Sequence, residues 1–574
     1  MAVTTVLERD TIRTVRLRAS SGDNEARGRQ MIAMLQQADI GTGVVAPQAV
    51  LCIRRVNAPR LRQLRSGGIL RPSVEWESAT REALARLAAS AVRPARGPVS
   101  LGAEAVLFAD RAELLACLAR DWCDGVVASC WWWRALFPTT DAAATVVRAW
   151  RETPEQMPAA CQVLATWNRL TPFVRRLAPA DVASLTHAVA RAFGLDAVVR
   201  VLAMRGTPRS SSGTAIDHES GIAATAPAAV LDAHVPEFVA TSLAPEQRVL
   251  AMVNLLLHRA PSDAARMLSA DTVASILKGE PQRELPIVAA PVTEPIVAAP
   301  VTEMSGEERG WPSTTQTTVA PGREAHARAD IEMFAAPARE VTEGVAPIET
   351  PPEAATTSSP SDVGAFDGSG SSADLALPHR TPRPVEAIVE TAFGGAFYLI
   401  NVGIALGLYG DFTMPLSPGL DLPIWDFIAL VTTRVVADEG ERLAADPLLP
   451  FLAQLAGRAP SEAPGAHRVP PRSWTLPAEW HIGLDEPGDA ETYERWADWL
   501  APRIAARLAR ALRVEKQVAG HLLIRCGARV SLSPSHLDVA FALDDLPIEV
   551  RIAGLDRDPG FVPAAALTVG FSYV

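Results

Sequence analysis

His536 and Asp538 stand two residues apart in the segment His536–Leu543 (HLDVAFAL). Side chains alternate across an extended strand, so residues i and i+2 share a face. An imidazole and a carboxylate on one face can ligate a metal, or the carboxylate can orient the imidazole as a base. Leu537, Val539, Phe541 and Leu543 fill the other face. The polar side of a half-buried sheet uses the same residue types, and that is the reading adopted. A cryptic enzyme or effector site near His536 and Asp538 is the chemical alternative. Asp544-Asp545 reads as a hairpin end, and Asp556-Arg557-Asp558-Pro559-Gly560 as a turn holding a local Asp–Arg pair.

Other chemistry is sparse. The cysteines are Cys52, Cys117, Cys123, Cys130, Cys161 and Cys526, with no CxxC pair and no zinc-ribbon or zinc-finger spacing. They read as small buried apolar residues in a reducing compartment. No P-loop, HExxH, GxSxG or strand-linked GxGxxG occurs. Gly403–Gly407 is a GxxxG in an apolar helix, a packing signal rather than a phosphate cradle. No catalytic, cofactor or metal residue is assigned, and the expectation is a protein that is not an enzyme.

The elements that would carry any site fall into two bodies, expected as 1–278 and 385–574, in an α+β chain. The first is a small α/β unit leading into a helical array. Thr11–Arg18, Ala49–Val56 and Ala105–Ala109 read as strands, and 25–37 and Ser73–Ser90 as helices. Asp110 stands at an N-cap with Glu113 three residues on, an acidic capping box. Trp131, Trp132 and Trp133 form either a buried aromatic anchor or an interface. Helical spacing recurs over Ala143–Trp150, Pro158–Asn168, Pro179–Phe193, Pro245–His258 and Pro261–Leu277, and 207–227 reads as a loop.

Between the bodies, 279–384 is rich in Pro, Thr, Ser, Ala and Glu and holds the tandem repeat PIVAAPVTE at Pro286–Glu294 and Pro295–Glu303. Such a segment buries too little apolar surface to offset its ordering entropy, so a long disordered linker is expected. The second body opens on the most apolar run, Phe393–Leu408, too short and too poor in basic flanks for a membrane span. With Ile424–Val436 it reads as a helical hairpin in a core, with membrane attachment through 393–408 as the alternative. Thr492–Arg513 is an amphipathic helix with Trp496, Leu500, Ile504, Leu508 and Leu512 on one stripe and an arginine face opposite; Pro502 predicts a break near Ala501. His521–Cys526, Arg529–Leu532, His536–Leu543, Ile548–Ile552 and Leu567–Tyr573 read as an antiparallel β region.

The 574 residues are 48% hydrophobic and 21% charged, with a formal net charge of −11. Those proportions are globular, and the negative balance argues against a nucleic-acid partner. The first residues carry acidic groups and no apolar signal core, so a cytoplasmic location is expected. Four strings together resemble proteins associated with phage-tail-like extracellular contractile injection systems: AVLCIRRV, AVLFADRAELLACLARDW with the following WWW, FGGAFYLINVGIALGLYGDF, and HLDVAFAL with VRIAGLDRDPGFVPA. The resemblance touches both bodies and skips the linker. It implies a structural, assembly or accessory part of such a particle, partnered by other particle proteins and incorporated into it. It supplies no catalytic residue and no cofactor. The residues expected to meet partners are Trp131, Trp132, Trp133, Phe393, Phe397, Tyr398, Tyr409, Trp496 and Trp499. On this reading the protein is a tethered two-body adaptor.

Overall fold

The computed structural model of the chain describes residues 10–17, 45–57, 74–137, 141–206, 243–278, 329–335, 383–410, 415, 420–466, 468, 470 and 491–574. The helix expected at 25–37, the loop at 207–227 and the tryptophans of 474–480 lie outside them. So does the expected linker, apart from 329–335 and 383–384. The fold is α+β in two bodies.

The first body begins with β1 (Asp10–Leu17), β2 (Val50–Ile53) and β3 (Val56–Asn57), then α1 (Val74–Ala89) and β4 (Ala105–Phe108). Helices follow: α2 (Arg111–Cys123), α3 (Trp131–Leu136), α4 (Ala142–Glu152), α5 (Met157–Thr166), α6 (Leu170–Arg176), α7 (Pro179–Ala192) and α8 (Asp196–Gly206). After these come α9 (Pro245–Arg259), α10 (Pro261–Met267) and α11 (Ala270–Lys278). Within the linker region β5 (Ala329–Ala335) joins this sheet, whose order is β1-β5-β2-β4, with β3 pairing β5. The sheet is antiparallel throughout.

Helix α9 is buried on every side from Val249 to His258, as a helix at the centre of an array must be. Its one amide there, Asn254, donates to the Leu250 carbonyl of its own preceding turn at 2.8 Å. Helices α5, α7, α10 and α11 pack around α9. The expected N-cap is present. Asp110 Oδ1 accepts the Glu113 N–H at 2.8 Å, while Glu113 reaches back one residue further than a capping box requires, to the Ala109 N–H at 3.1 Å.

The second body runs through β6 (Ala387–Thr391), a 3-10 turn (Gly394–Tyr398), α12 (Leu399–Ala405), α13 (Ile424–Val435), α14 (Gly440–Ala445) and α15 (Leu448–Leu455). It closes with α16 (Tyr493–Leu512), α17 (Lys516–Ile524), β7 (Ala528–Leu532), β8 (His536–Phe541), α18 (Ile548–Ile552), β9 (Gly560–Val562) and β10 (Leu567–Tyr573). Its sheet is ordered β6-β7-β8-β10-β9 and is mixed: β8 and β10 run parallel, the other pairs antiparallel.

Two segments read as strands are helices. At 521–524 the residues belong to α17, where Ala519 and Leu523, four apart, are buried together with Gly520 and Ile524. A side chain at Gly520 would meet Val435 of α13 at 2.1 Å, so the glycine sets that helix–helix approach. At 548–552, Pro547 starts α18 and only Val550 is buried, leaving Ile548 and Ile552 outward. The β-branched composition suggested a strand; proline at the helix start decided otherwise. Helix α16 also runs through Pro502 without interruption. Guanidinium groups serve carbonyls around it: Arg434 donates to Glu494 O at 2.9 Å and Arg503 to Trp499 O at 2.6 Å.

The apolar run 393–408 is core. Gly395 lets this turn lie directly on the end of α17, where an added Cβ would sit 1.8 Å from the Leu523 carbonyl oxygen. Gly403 likewise faces Phe427 and Tyr409. No helix among the described residues is long and apolar enough to cross a membrane.

Candidate functional site

The structure places His536 and Asp538 on one face of β8, as their spacing predicts, with Leu537, Val539 and Phe541 buried on the other. That polar face does not look into solvent. The first body is docked against its edge, and the residues that sequence could not connect meet there.

The centre is Asp110, fully buried. One carboxylate oxygen caps α2. The other accepts three hydrogen bonds from the second body: Ser533 Oγ at 2.8 Å, Ser535 N at 2.7 Å and Ser535 Oγ at 2.9 Å. The partners are 423 and 425 residues away in the chain. His536 Nδ1 lies 3.9 Å from the same oxygen, an ion-pair separation rather than a hydrogen bond. Burial alone would push the Asp110 carboxyl up; His536 and the N–H groups of Glu113 and Ser535 outweigh it and hold the carboxyl below its usual range.

Ser535, His536 and Asp110 are the residue types of a hydrolytic triad, but the geometry is not that of one. A triad places the serine and the carboxylate on opposite imidazole nitrogens. Here Ser535 Oγ lies 2.9 Å from Nδ1, the same nitrogen that faces Asp110. Ser535 is 3% exposed and Asp110 0%, so no substrate carbonyl reaches the hydroxyl. Gln156 Oε1, 2.6 Å from Ser535 Oγ, closes the remaining side. The cluster is a lock between bodies.

Asp538 sits beyond it with Oδ2 buried and unbonded. Burial raises its carboxyl to about 6, against the opposing influence of His536 and a hydrogen bond from Gln48. Asp558 is spent on the Phe571 N–H at 2.6 Å, and Asp556 pairs with Arg551 at 3.3 Å. Among the described residues no group of three His, Cys, Asp or Glu side chains could hold a metal ion.

Other contacts extend the docking. Arg93 bridges Glu113 of the first body and Glu386 of the second. Asp263 on α10 receives Arg468 end-on through Nη1 and Nη2, at 3.1 and 3.0 Å, while Arg468 and Arg266 both pair with Asp421. Phe193 and Phe561 meet edge to face at 5.3 Å. The turn between β9 and β10 enters the first core, where Ala566 is a full member and Phe561 packs alongside. A cleft of about 180 Å³ remains between the bodies, lined by Arg93, Arg96, Glu113, Trp167, Glu386 and Pro534 among others.

The nine aromatics singled out as contact residues are placed otherwise. Trp131, Trp132, Trp133, Phe393, Phe397, Tyr398, Tyr409 and Trp496 are buried in the two cores. Trp499 is half-buried, with the Arg503 guanidinium 3.9 Å above its ring. Trp133 donates to Asp121 at 2.8 Å and Trp131 to the Ala103 carbonyl at 3.0 Å. Tyr398 stacks on Phe541 at 4.9 Å and meets Phe571 edge-on at 5.0 Å. Their apolar faces are therefore taken by their own domains. Arg503, expected on the solvated stripe of its helix, is buried as well.

Sequence reasoning found His536 and Asp538 and named Asp110 as a cap, but missed Ser533, Ser535, Gln156, Arg468 and Asp263. The Ser-Pro-Ser turn was the only available signal, and it is a common one. No family model matches the chain, and neither does any curated protein or solved structure.

Proposed function

We propose that the protein is a non-enzymatic structural, assembly or accessory component of a phage-tail-like contractile injection particle. The observation that carries the non-enzymatic part is the use made of Asp110, Ser535 and His536. These triad-type residues are spent on holding two bodies together, and among the described residues nothing opens a path for a substrate to them. The resemblance of segments in both bodies supports the particle assignment.

Docking changes how the adaptor works. The bodies are not two beads reaching for distant partners. They form one platform; the chain passes Lys278, returns to the first sheet in β5 and reaches Arg383, which is buried between the bodies. Between these two points β5 is paired into the sheet of the first body, so the tether expected from the sequence is held at its middle as well as at its ends. The composition of the two connections either side of β5, about 50 residues each, suits them to engage neighbouring particle proteins and raise their local concentration.

The test is mass spectrometry of particles purified from cells carrying a tagged full-length copy. Sheath, tube or baseplate proteins are expected with it. A variant lacking Pro286–Glu303 should lose them while melting at the wild-type temperature. Recovery of the full-length protein with no particle component would refute the assignment.

A further inference from the structure

A guanidinium with no counter-charge among the described residues is enclosed where the two bodies meet, and we infer that Arg383 and His258 form an oxyanion-binding site closed by docking. Arg383 is 6% exposed. Its Nη1 donates to the Ala565 carbonyl of the second body at 2.8 Å and to the His258 carbonyl at the end of α9 at 3.4 Å. Nε and Nη2 are buried and make no hydrogen bond. These two nitrogens form the side-on edge of the guanidinium, the edge that matches two oxygens of a phosphate or carboxylate. His258 is 2% exposed, and neither of its ring nitrogens has a partner.

Among the described residues no carboxylate pairs with Arg383. The C-terminal carbonyls of α9 offer only a partial negative charge. Arg259 stands beside His258 and adds positive potential, with Nε committed to Gln162 at 2.8 Å. Burial first, then the charges of Arg383 and Arg259, keep His258 neutral, so its ring brings one N–H donor and no repulsion. The donor set is a two-pronged fork plus one imidazole N–H, all enclosed, all on the positive side. A small oxyanion would pair with the fork and supply the missing charge, with the His258 ring as a further donor beside it. The two bodies each contribute, through α9 on one side and Arg383 with the Ala565 turn on the other, so binding would stabilise the docked platform.

The experiment is thermal unfolding of the full-length chain in increasing inorganic phosphate, with ionic strength held constant by chloride. Wild type should gain about 2–4 °C by ten times the dissociation constant. Arg383→Met should show no phosphate response. Arg383→Lys keeps a charge but loses the fork, so its response should need at least ~10-fold more phosphate, which covers the case in which the methionine variant fails to fold. An acetate series separates the sources: an equal response to acetate supports the site and names a carboxylate as its occupant. If wild type ignores both anions, or Arg383→Met responds as wild type does, the inference is overturned and the fork is served by water alone.

Discussion

Asp110→Asn is the sharpest probe of the lock. The substitution keeps size and shape and leaves one carbonyl oxygen to cap α2. It puts an N–H₂ where Oδ2 now accepts from Ser533 Oγ, Ser535 N and Ser535 Oγ at 2.7–2.9 Å. The two hydroxyls can rotate and accept instead. The Ser535 amide cannot, and a buried orphan N–H costs about 1–3 kcal/mol. Loss of the charge weakens the remaining bonds, and hydrogen bonds to a charged group are worth about 1.5–3 kcal/mol each. With partial rescue by the hydroxyls, the sum is about 3–5 kcal/mol, the range for breaking one side of a buried charged network. Almost all of it falls on docking. Asp110→Ala should cost about 1 kcal/mol more, because the cap goes too. The assay is native-state hydrogen exchange at Ser535, with urea unfolding for the total. The pH dependence carries the same signature. The folded carboxyl lies below the ordinary aspartate value of 3.8, so its contribution is present above that pH and disappears as pH falls through the folded value. Wild-type docking should loosen in acid below about pH 4, and the asparagine variant should lack that dependence. A loss under about 0.5 kcal/mol with unchanged exchange at Ser535 would refute the reasoning.

Asp538 behaves in the opposite sense: its carboxyl is raised to about 6, so ionising it opposes folding progressively from pH 4 to 6 and fully above. Asp538→Asn should therefore stabilise the protein by about 1–2 kcal/mol at pH 7.5 and by little at pH 4, read from urea midpoints at the two pH values. Gly395→Ala should cost at least about 3 kcal/mol or prevent folding, since its Cβ would meet backbone, whereas Gly407→Ala, in open space at φ +66°, should cost about 1 kcal/mol; equal melting points for the pair would remove the close-approach argument. In native protein at pH 8, alkylation followed by peptide mapping should mark Cys123 first. It is the one half-buried cysteine, while burial pushes the Cys52 thiol up to about 12. Faster labelling of Cys52 or Cys161 would mean the first core is not closed.

Local patterns made much of the fold legible. The alternation of His536–Phe541, the Asp110 cap, and the helical spacing of α4, α7 and α9 are each set by neighbours within a few residues. Failures came where tertiary contact outweighed local preference. Residues 521–524 look extended by composition, yet Gly520 against Val435 draws them into a helix packed on α13. The tryptophan triplet read either as a buried anchor or as an interface; the short helix α3 places all three indoles in the first core at steep angles to one another. Trp131 and Trp132 cross at 86°, and Trp132 and Trp133 at 60°.

The site was less legible, for a reason that is physical rather than statistical. A lock between distant segments needs an acceptor on one body and donors on the other, and each half alone is ordinary. An N-cap aspartate uses one oxygen locally and leaves the other free; a Ser-Pro-Ser turn holds its hydroxyls near a sheet edge. Neither announces the other, and the body–body contact spans more than 400 residues of chain. The same holds for Arg468 with Asp263, 205 residues apart, and for Arg383 with Ala565, 182 apart. Placing arginine at these crossings has a consequence. Each guanidinium reaches partners on both bodies at once, and for Arg468 those partners are carboxylates, so separating the bodies would break a charge pair rather than merely expose apolar surface. Docking is thus specified in register by charge geometry, while Phe193 against Phe561 and the Ala566 turn supply the apolar contact. A platform fixed in that way keeps a constant distance between Lys278 and Arg383.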